Sequence, residues 1–109
     1  MKKGGIVVIA MVMVFCFAAV TRGQNPAAVS EGEVLFKQYC QVCHPGGKNV
    51  MNPAKTLFAQ DLKKNTIETP EAIVKMIRKA PPGMTSFDEK VISDKDADAI
   101  ARYILQTFK

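Results

Sequence analysis

Five consecutive residues, Cys40-Gln41-Val42-Cys43-His44, constrain this chain more than anything else in it. Thiols at i and i+3 of one helical turn point the same way, and an imidazole follows at once. His44 is the sole histidine, and the third cysteine, Cys16, lies in an apolar N-terminal run. Three common uses of paired cysteines fit less well. A thioredoxin-like redox pair sits in a βαβ unit, and no segment here alternates as a strand does. A zinc site wants four ligands, but there is no second C-x-x-C and no spare histidine. A lone surface disulfide is the third. The adjacent histidine and an N-terminal export signal favour a fourth use over these: covalent attachment of c-type haem. Each thiol then forms a thioether to one vinyl group, and the neutral imidazole binds iron as the proximal ligand.

The export signal is read from residues 1–23. Met1-Lys2-Lys3 is a short positive start, residues 6–20 are an uncharged apolar run, and Ala18-Ala19 to Thr21-Arg22-Gly23 are small or polar. That is the order of a secretory signal peptide, and the run is shorter than the roughly 20 residues a membrane-spanning helix needs. Residues 1–23 are expected to be a cleaved leader. An uncleaved anchor, tethering the protein to a membrane through residues 6–20, is the second reading. Lipid acylation at Cys16 is the lesser one, because bulky Phe15 stands where that processing wants a small residue. Export implies the periplasm or the outer face of the cell envelope. Without the leader, 12 Lys and Arg stand against 10 Asp and Glu, a balance of +2 in place of +5. The basic charge is then no sign of a nucleic-acid partner. The remaining 86 residues contain no Trp. Chains this small form thin cores and need a staple. A haem supplies one, so the apo chain is expected to be largely unfolded.

Residues 24–29 read as a flexible lead-in and residues 30–109 as one domain. Ser30-Glu31-Gly32-Glu33 has the form of a capping box, followed by Val34, Leu35, Phe36, Tyr39 and Val42. This first helix is expected to end near Cys43-His44, since Pro45 disfavours α conformation before it. Residues 45–55 are rich in turn formers, and a short helix is expected over about 57–64. Thr69-Pro70-Glu71 is a start signal, opening a helix whose buried face is Ile73, Val74, Met76 and Ile77 and which stops at Pro81-Pro82. After a second loop, Ser93-Asp94-Lys95-Asp96 opens a last helix with Ala97, Ile100, Ala101, Ile104 and Phe108 at helical spacing and Tyr103 on its flank. The fold class is all-α, with three or four short helices wrapped round the haem.

With His44 used, a sulfur donor for the other face of the iron must come from Met51, Met76 or Met84, unless that position is open or filled by Lys. Met51 follows His44 by seven residues, a short span in which to cross the ring. Met76 shares a helix face with Ile73 and Ile77 and reads as core. Met84 lies in Pro81-Pro82-Gly83-Met84-Thr85-Ser86-Phe87, where two prolines stiffen the approach and Gly83 permits a turn, so it is the favoured distal ligand. Iron held between two permanent ligands implies a single-electron carrier in a respiratory or photosynthetic-type chain. It would be a monomer that is no enzyme and meets redox partner proteins, soluble or membrane-bound. Burial among Val34, Leu35, Phe36, Leu57, Ile77, Phe87 and Ile104 would favour ferrous over ferric iron. Lys48, Lys55, Lys63, Lys64, Lys75 and Lys79 are candidates for a mild basic rim. Two other readings stand beside this one. An open sixth site would bind gas or peroxide, although no distal acid–base pair is visible. The chain could also be the electron-entry module of a larger redox complex.

These residues give the chain a resemblance to the small monohaem class I cytochromes c. Gly32, Phe36, Cys40, Cys43 and His44 match that family's N-terminal helix in order and spacing. Ile100 and Tyr103 match the C-terminal helix that crosses it near Gly32 and Phe36. The likeness covers about residues 30–108. Within the class, Gly47, Asn49-Val50, Lys55-Thr56-Leu57 and the Gly83-Met84 loop leading to Phe87 look like cytochrome c6. A looser likeness runs to the c6-like cytochromes of metal-respiring bacteria. The resemblance implies a haem wrapped by helices, His/Met ligation and one exposed haem edge. Thr85 departs from the c6 pattern, which often has Pro directly after the ligand Met.

Overall fold

The computed structural model describes residues 26–109; the leader, anchor and Cys16 readings lie outside the described residues. Among the described residues there are four α-helices and no strand: α1 (Pro26–Tyr39), α2 (Ala59–Lys64), α3 (Pro70–Arg78) and α4 (Asp94–Thr107), with a 3₁₀ turn at Pro45–Gly47. The all-α expectation holds, but α1 is displaced at both ends. Its start lies four residues before the expected capping box, so Pro26–Val29 is helix where a flexible lead-in was expected, and Ser30 lies inside it. Proline is preset for the first helical position and alanine is the best helix former, so Pro26-Ala27-Ala28 can extend the helix backwards. At the other end α1 stops at Tyr39, short of Cys43. The N–H groups of Cys40 and Gln41 both donate to the Phe36 carbonyl, at 2.8 and 3.0 Å, and this widened step closes the ladder.

The later helix starts follow their caps. Thr69 Oγ1 accepts from the Ala72 N–H and Ser93 Oγ from the Asp96 N–H, each at 3.2 Å. Each satisfies a donor that the first turn of a helix leaves unpaired. α3 ends at Arg78, before the two prolines, with Lys79 already out of helical conformation.

α1 and α4 cross at Gly32. A β-carbon there would collide with the Ala99 carbonyl and lie 2.9 Å from Tyr103 Cβ, so only glycine lets the backbones approach this closely. One turn on, the rings of Phe36 and Tyr103 meet at 5.3 Å. Val34 lies two residues from both Gly32 and Phe36. At 3.6 residues per turn it falls on the opposite side, and it is 64% exposed, which removes it from the expected apolar lining. The core joins Phe36 to one face of α4, formed by Ala97, Ile100, Ala101 and Ile104, and to Leu62, Ile73, Ile77 and Ile92.

Phe108 completes this packing. It caps α4, its carbonyl accepts from the Ala59 N–H at 2.8 Å, and its ring meets Phe36, Tyr103 and Phe58 at 5.4, 5.9 and 6.2 Å. The same ring lies against buried Gly47, whose φ of +84° also favours glycine. The C-terminus thereby anchors both α2 and the turn that follows His44.

Candidate functional site

Cys40–His44 forms a separate turn directly after α1. The Cys40 carbonyl accepts from the Cys43 N–H at 3.2 Å and from the His44 N–H at 2.9 Å, which sets the two cysteines one turn apart. Both are free, half-buried thiols. Burial, and then the neighbouring Cys43, push the Cys40 thiol up to about 11. A redox-active C-x-x-C needs the opposite shift, toward thiolate. Val42, expected among the apolar residues of α1, is instead 85% exposed.

His44 is buried, and its backbone (φ −119°, ψ 52°) is non-helical, as Pro45 requires. Its Nδ1 lies 2.9 Å from the Lys48 carbonyl oxygen. A carbonyl can only accept, so Nδ1 carries a proton, and in the neutral imidazole Nε2 keeps its lone pair. Such a bond orients an imidazole and raises its basicity as a metal ligand. Lys48 is held in place in turn, since its N–H donates to the Pro45 carbonyl at 3.1 Å.

The loop after the turn is folded back by side chains. Asn49 Oδ1 accepts from the N–H groups of Met51 and Asn52 at 3.0 and 2.9 Å, while its Nδ2 donates to the Lys55 carbonyl at 2.8 Å. The Val50 N–H donates to the Cys43 carbonyl and the Leu57 N–H to that of Gly47, at 3.0 and 2.7 Å. Thr56 donates to Asp61 through both its hydroxyl and its N–H. The hydroxyl first, and the N–H second, hold the Asp61 carboxyl below its usual range. Met51 is 68% exposed on this loop, and Met76 is half-buried on α3 where core was expected.

Met84 is half-buried at the end of a tight turn. Its N–H donates to the Pro81 carbonyl at 3.1 Å, with Pro82 and Gly83 at the central positions and Gly83 at φ +94°. That is the residue pattern of a type II turn. The loop is closed where Ala80 N–H meets Ser86 Oγ at 2.9 Å and Phe87 N–H meets the Ile77 carbonyl at 2.8 Å. The Phe87 ring then contacts Tyr39 edge-on at 5.8 Å. Tyr39 directly precedes Cys40, so this pair brings the Met84 loop to the end of the molecule that carries the C-x-x-C-H turn.

The donor set fits a haem. It comprises two thiols one turn apart, one imidazole whose neutral form has a free Nε2 lone pair, and one half-buried thioether, with half-buried Tyr39, Leu57 and Phe87 packed against the core. Among the described residues no three His, Cys, Asp or Glu gather as a metal site would require. Sequence reasoning missed Tyr39 as the bridge to the loop and the Lys48 carbonyl as the partner of His44. The Asn49 side chain carried a local signal, since asparagine commonly bonds backbone two residues on.

Comparison with known proteins agrees. Residues 27–104 match the family described as cytochrome C oxidase, cbb3-type, subunit III. Cytochrome c6 of Microcystis aeruginosa is 41% identical over 75 residues, covering 69% of this chain and 91% of that protein. Cytochrome c6 of Cyanidium caldarium is 38% identical over 79 residues, covering 72% and 71%. Among solved structures, OmcF, the outer membrane cytochrome F of Geobacter sulfurreducens, superposes with a TM-score of 0.70 at 37% identity, covering 72% of this chain and 99% of that one. The fold and the donor set define a class I cytochrome c, and the chain belongs to that family on its cytochrome c6-like side. It is a single-electron carrier with one covalent haem c, and His/Met ligation is typical of its family.

Proposed function

We propose that Cys40 and Cys43 hold the haem through thioethers, that His44 Nε2 is the proximal iron ligand, and that Met84 sulfur is the distal one. The observation that carries this assignment is the bond from His44 Nδ1–H to the Lys48 carbonyl, because it leaves Nε2 free to bind a metal. When bound, the haem supplies a one-electron ferrous/ferric couple. The chain's own residues set its conditions. The Lys48 carbonyl fixes the tautomer and orientation of His44. The Pro82-Gly83 turn presents Met84, whose thioether favours ferrous iron and raises the potential relative to two nitrogen ligands. Tyr39, Leu57 and Phe87 limit water at the site.

The carrier acts after export, in the periplasm or at the outer face of the envelope, and performs no chemistry of its own beyond electron transfer. Among the described residues no helix is long and apolar enough to cross a membrane. Cleavage after Gly23 predicts a mature mass equal to residues 24–109 plus one haem; retention of residues 1–23 would establish the anchor instead. Lys48, Lys55, Lys63, Lys64, Lys75 and Lys79 are all exposed and supply the basic rim for acidic redox partners. Electron-transfer rates with such a partner fall as ionic strength rises; rates indifferent to salt would remove the rim.

The decisive experiment is the visible spectrum of the haem-loaded protein in both redox states, with carbon monoxide added to the reduced form. The expected result is a low-spin c-type spectrum, a weak far-red band from methionine on ferric iron, and no carbon monoxide shift. Met84→Ala abolishes the far-red band. A high-spin spectrum with ready carbon monoxide binding would overturn the Met84 assignment in favour of an open sixth site.

A further inference from the structure

The loop that carries Met84 is closed at its base by a residue that no sequence pattern marks. Arg78 is the last residue of α3, and its side chain is only 21% exposed. Nη1 donates to the carbonyls of Phe87 and Ile92, at 3.2 and 2.8 Å, and Nη2 donates to Asp94 Oδ1 at 2.7 Å. One planar cation therefore bridges both ends of the segment from Phe87 to Ile92 and the start of α4. The Phe87 N–H is already taken by the Ile77 carbonyl. Both backbone groups of Phe87 are thus tied to two consecutive residues at the end of α3. Among the described residues, the other bonds of the loop, Ala80 N–H to Ser86 Oγ and Met84 N–H to the Pro81 carbonyl, join the loop only to itself.

We propose that Arg78 is a positioning residue for the sixth iron ligand, holding the base of the Met84 loop so that the sulfur stays on the metal. This inference rests on the reading of Met84 as the distal ligand. A thioether is a weak donor to iron, so its occupancy depends on how little freedom the loop has to withdraw it. The bonds to Phe87 and Ile92 are charge-assisted and are made by a largely covered guanidinium. The Asp94 carboxylate is 74% exposed, and a pair of that kind contributes little. The two carbonyl contacts therefore carry the effect. Lysine, a single point donor, cannot reproduce the fork.

Imidazole is the probe. It binds ferric iron only where Met84 has let go, so its apparent affinity reports the fraction of open loop. The full haem-loaded chain is compared with Arg78→Gln, Arg78→Lys, Asp94→Asn and the core variant Ile100→Val, which controls for general loss of stability. Imidazole affinity is expected to rise about tenfold in Arg78→Gln and about threefold in Arg78→Lys. It stays within about twofold of wild type in Asp94→Asn and Ile100→Val. An Arg78→Gln affinity within about twofold of the Ile100→Val value overturns the proposal, and if that variant does not accumulate, Arg78→Lys is judged by the same criterion. Failure of the underlying reading has its own signature: no far-red band in the wild type. A band present in the wild type and lost in Met84→Ala, with unchanged imidazole affinity at position 78, removes only the role of Arg78.

Discussion

Replacing Gly32 by alanine sets two effects against each other, and the structure decides which wins. Within a helix, glycine to alanine is worth about 1 kcal/mol in favour of the helix. At Gly32 the new methyl meets the Ala99 carbonyl and Tyr103 Cβ across the α1–α4 crossing. The opposing atoms belong to backbone and to the root of a side chain, so no rotamer change relieves them, and the helices must move apart. Overpacking of this kind costs about 1–3 kcal/mol. The rigidity of the contact puts Gly32 at the upper end, which leaves a net loss of about 2 kcal/mol. For a chain of this size that is a fall in Tm of about 8–16 °C. Thermal unfolding of the haem-loaded protein followed by far-ultraviolet circular dichroism measures it, with Ser30→Ala on exposed α1 surface as the control. A Tm for Gly32→Ala equal to or above wild type would show that the crossing is not set by this contact.

Three further outcomes are expected. Thr66 is the one described non-glycine residue with positive φ, +58°. That backbone costs a β-branched residue about 1 kcal/mol, so Thr66→Gly should raise the urea midpoint; a lowered midpoint would refute the strain. The Asp61 carboxyl titrates lower in the folded chain than in the unfolded one because Thr56 bonds its charged form. Its contribution to stability is therefore present above the ordinary value of 3.8 and lost as pH falls through the lower folded value. The Tm advantage of wild type over Asp61→Asn should shrink below that pH, and an advantage that grows in acid would contradict the sign. Finally, Cys40→Ala/Cys43→Ala, which removes the proposed haem attachment points, should be largely unfolded, because a chain this small has a thin core without the haem. A native-like dichroism spectrum with cooperative melting would show that the helices suffice alone.

What could be read from the chain was local. The caps at Thr69 and Ser93 and the turn at Pro82-Gly83 each act within about four residues, and each lies where its residues placed it. The C-x-x-C-H motif named its chemistry for the same reason: its three functional side chains are consecutive or one turn apart. The misplaced start of α1 was also local, but there a proline and two alanines outweighed a capping box four residues later; its early end, by contrast, lies where the Phe36 carbonyl takes both the Cys40 and Gln41 N–H groups.

The remainder rests on long-range contacts that residue identity does not announce. The carbonyl of Lys48 selects the tautomer of His44, and those of Phe87 and Ile92 receive Arg78. Every residue has a carbonyl, so nothing in the sequence marks these three. Val34 faces outward and Ile92 is fully buried because of how α1 turns toward α4 and where Arg78 draws the segment before α4. Hydrophobicity alone treats the two alike. Local sequence signals were enough to point to one covalent haem on an all-α frame. How tightly the loop opposite that turn is held depends on packing between segments distant in the chain, where only geometry distinguishes one backbone oxygen from another.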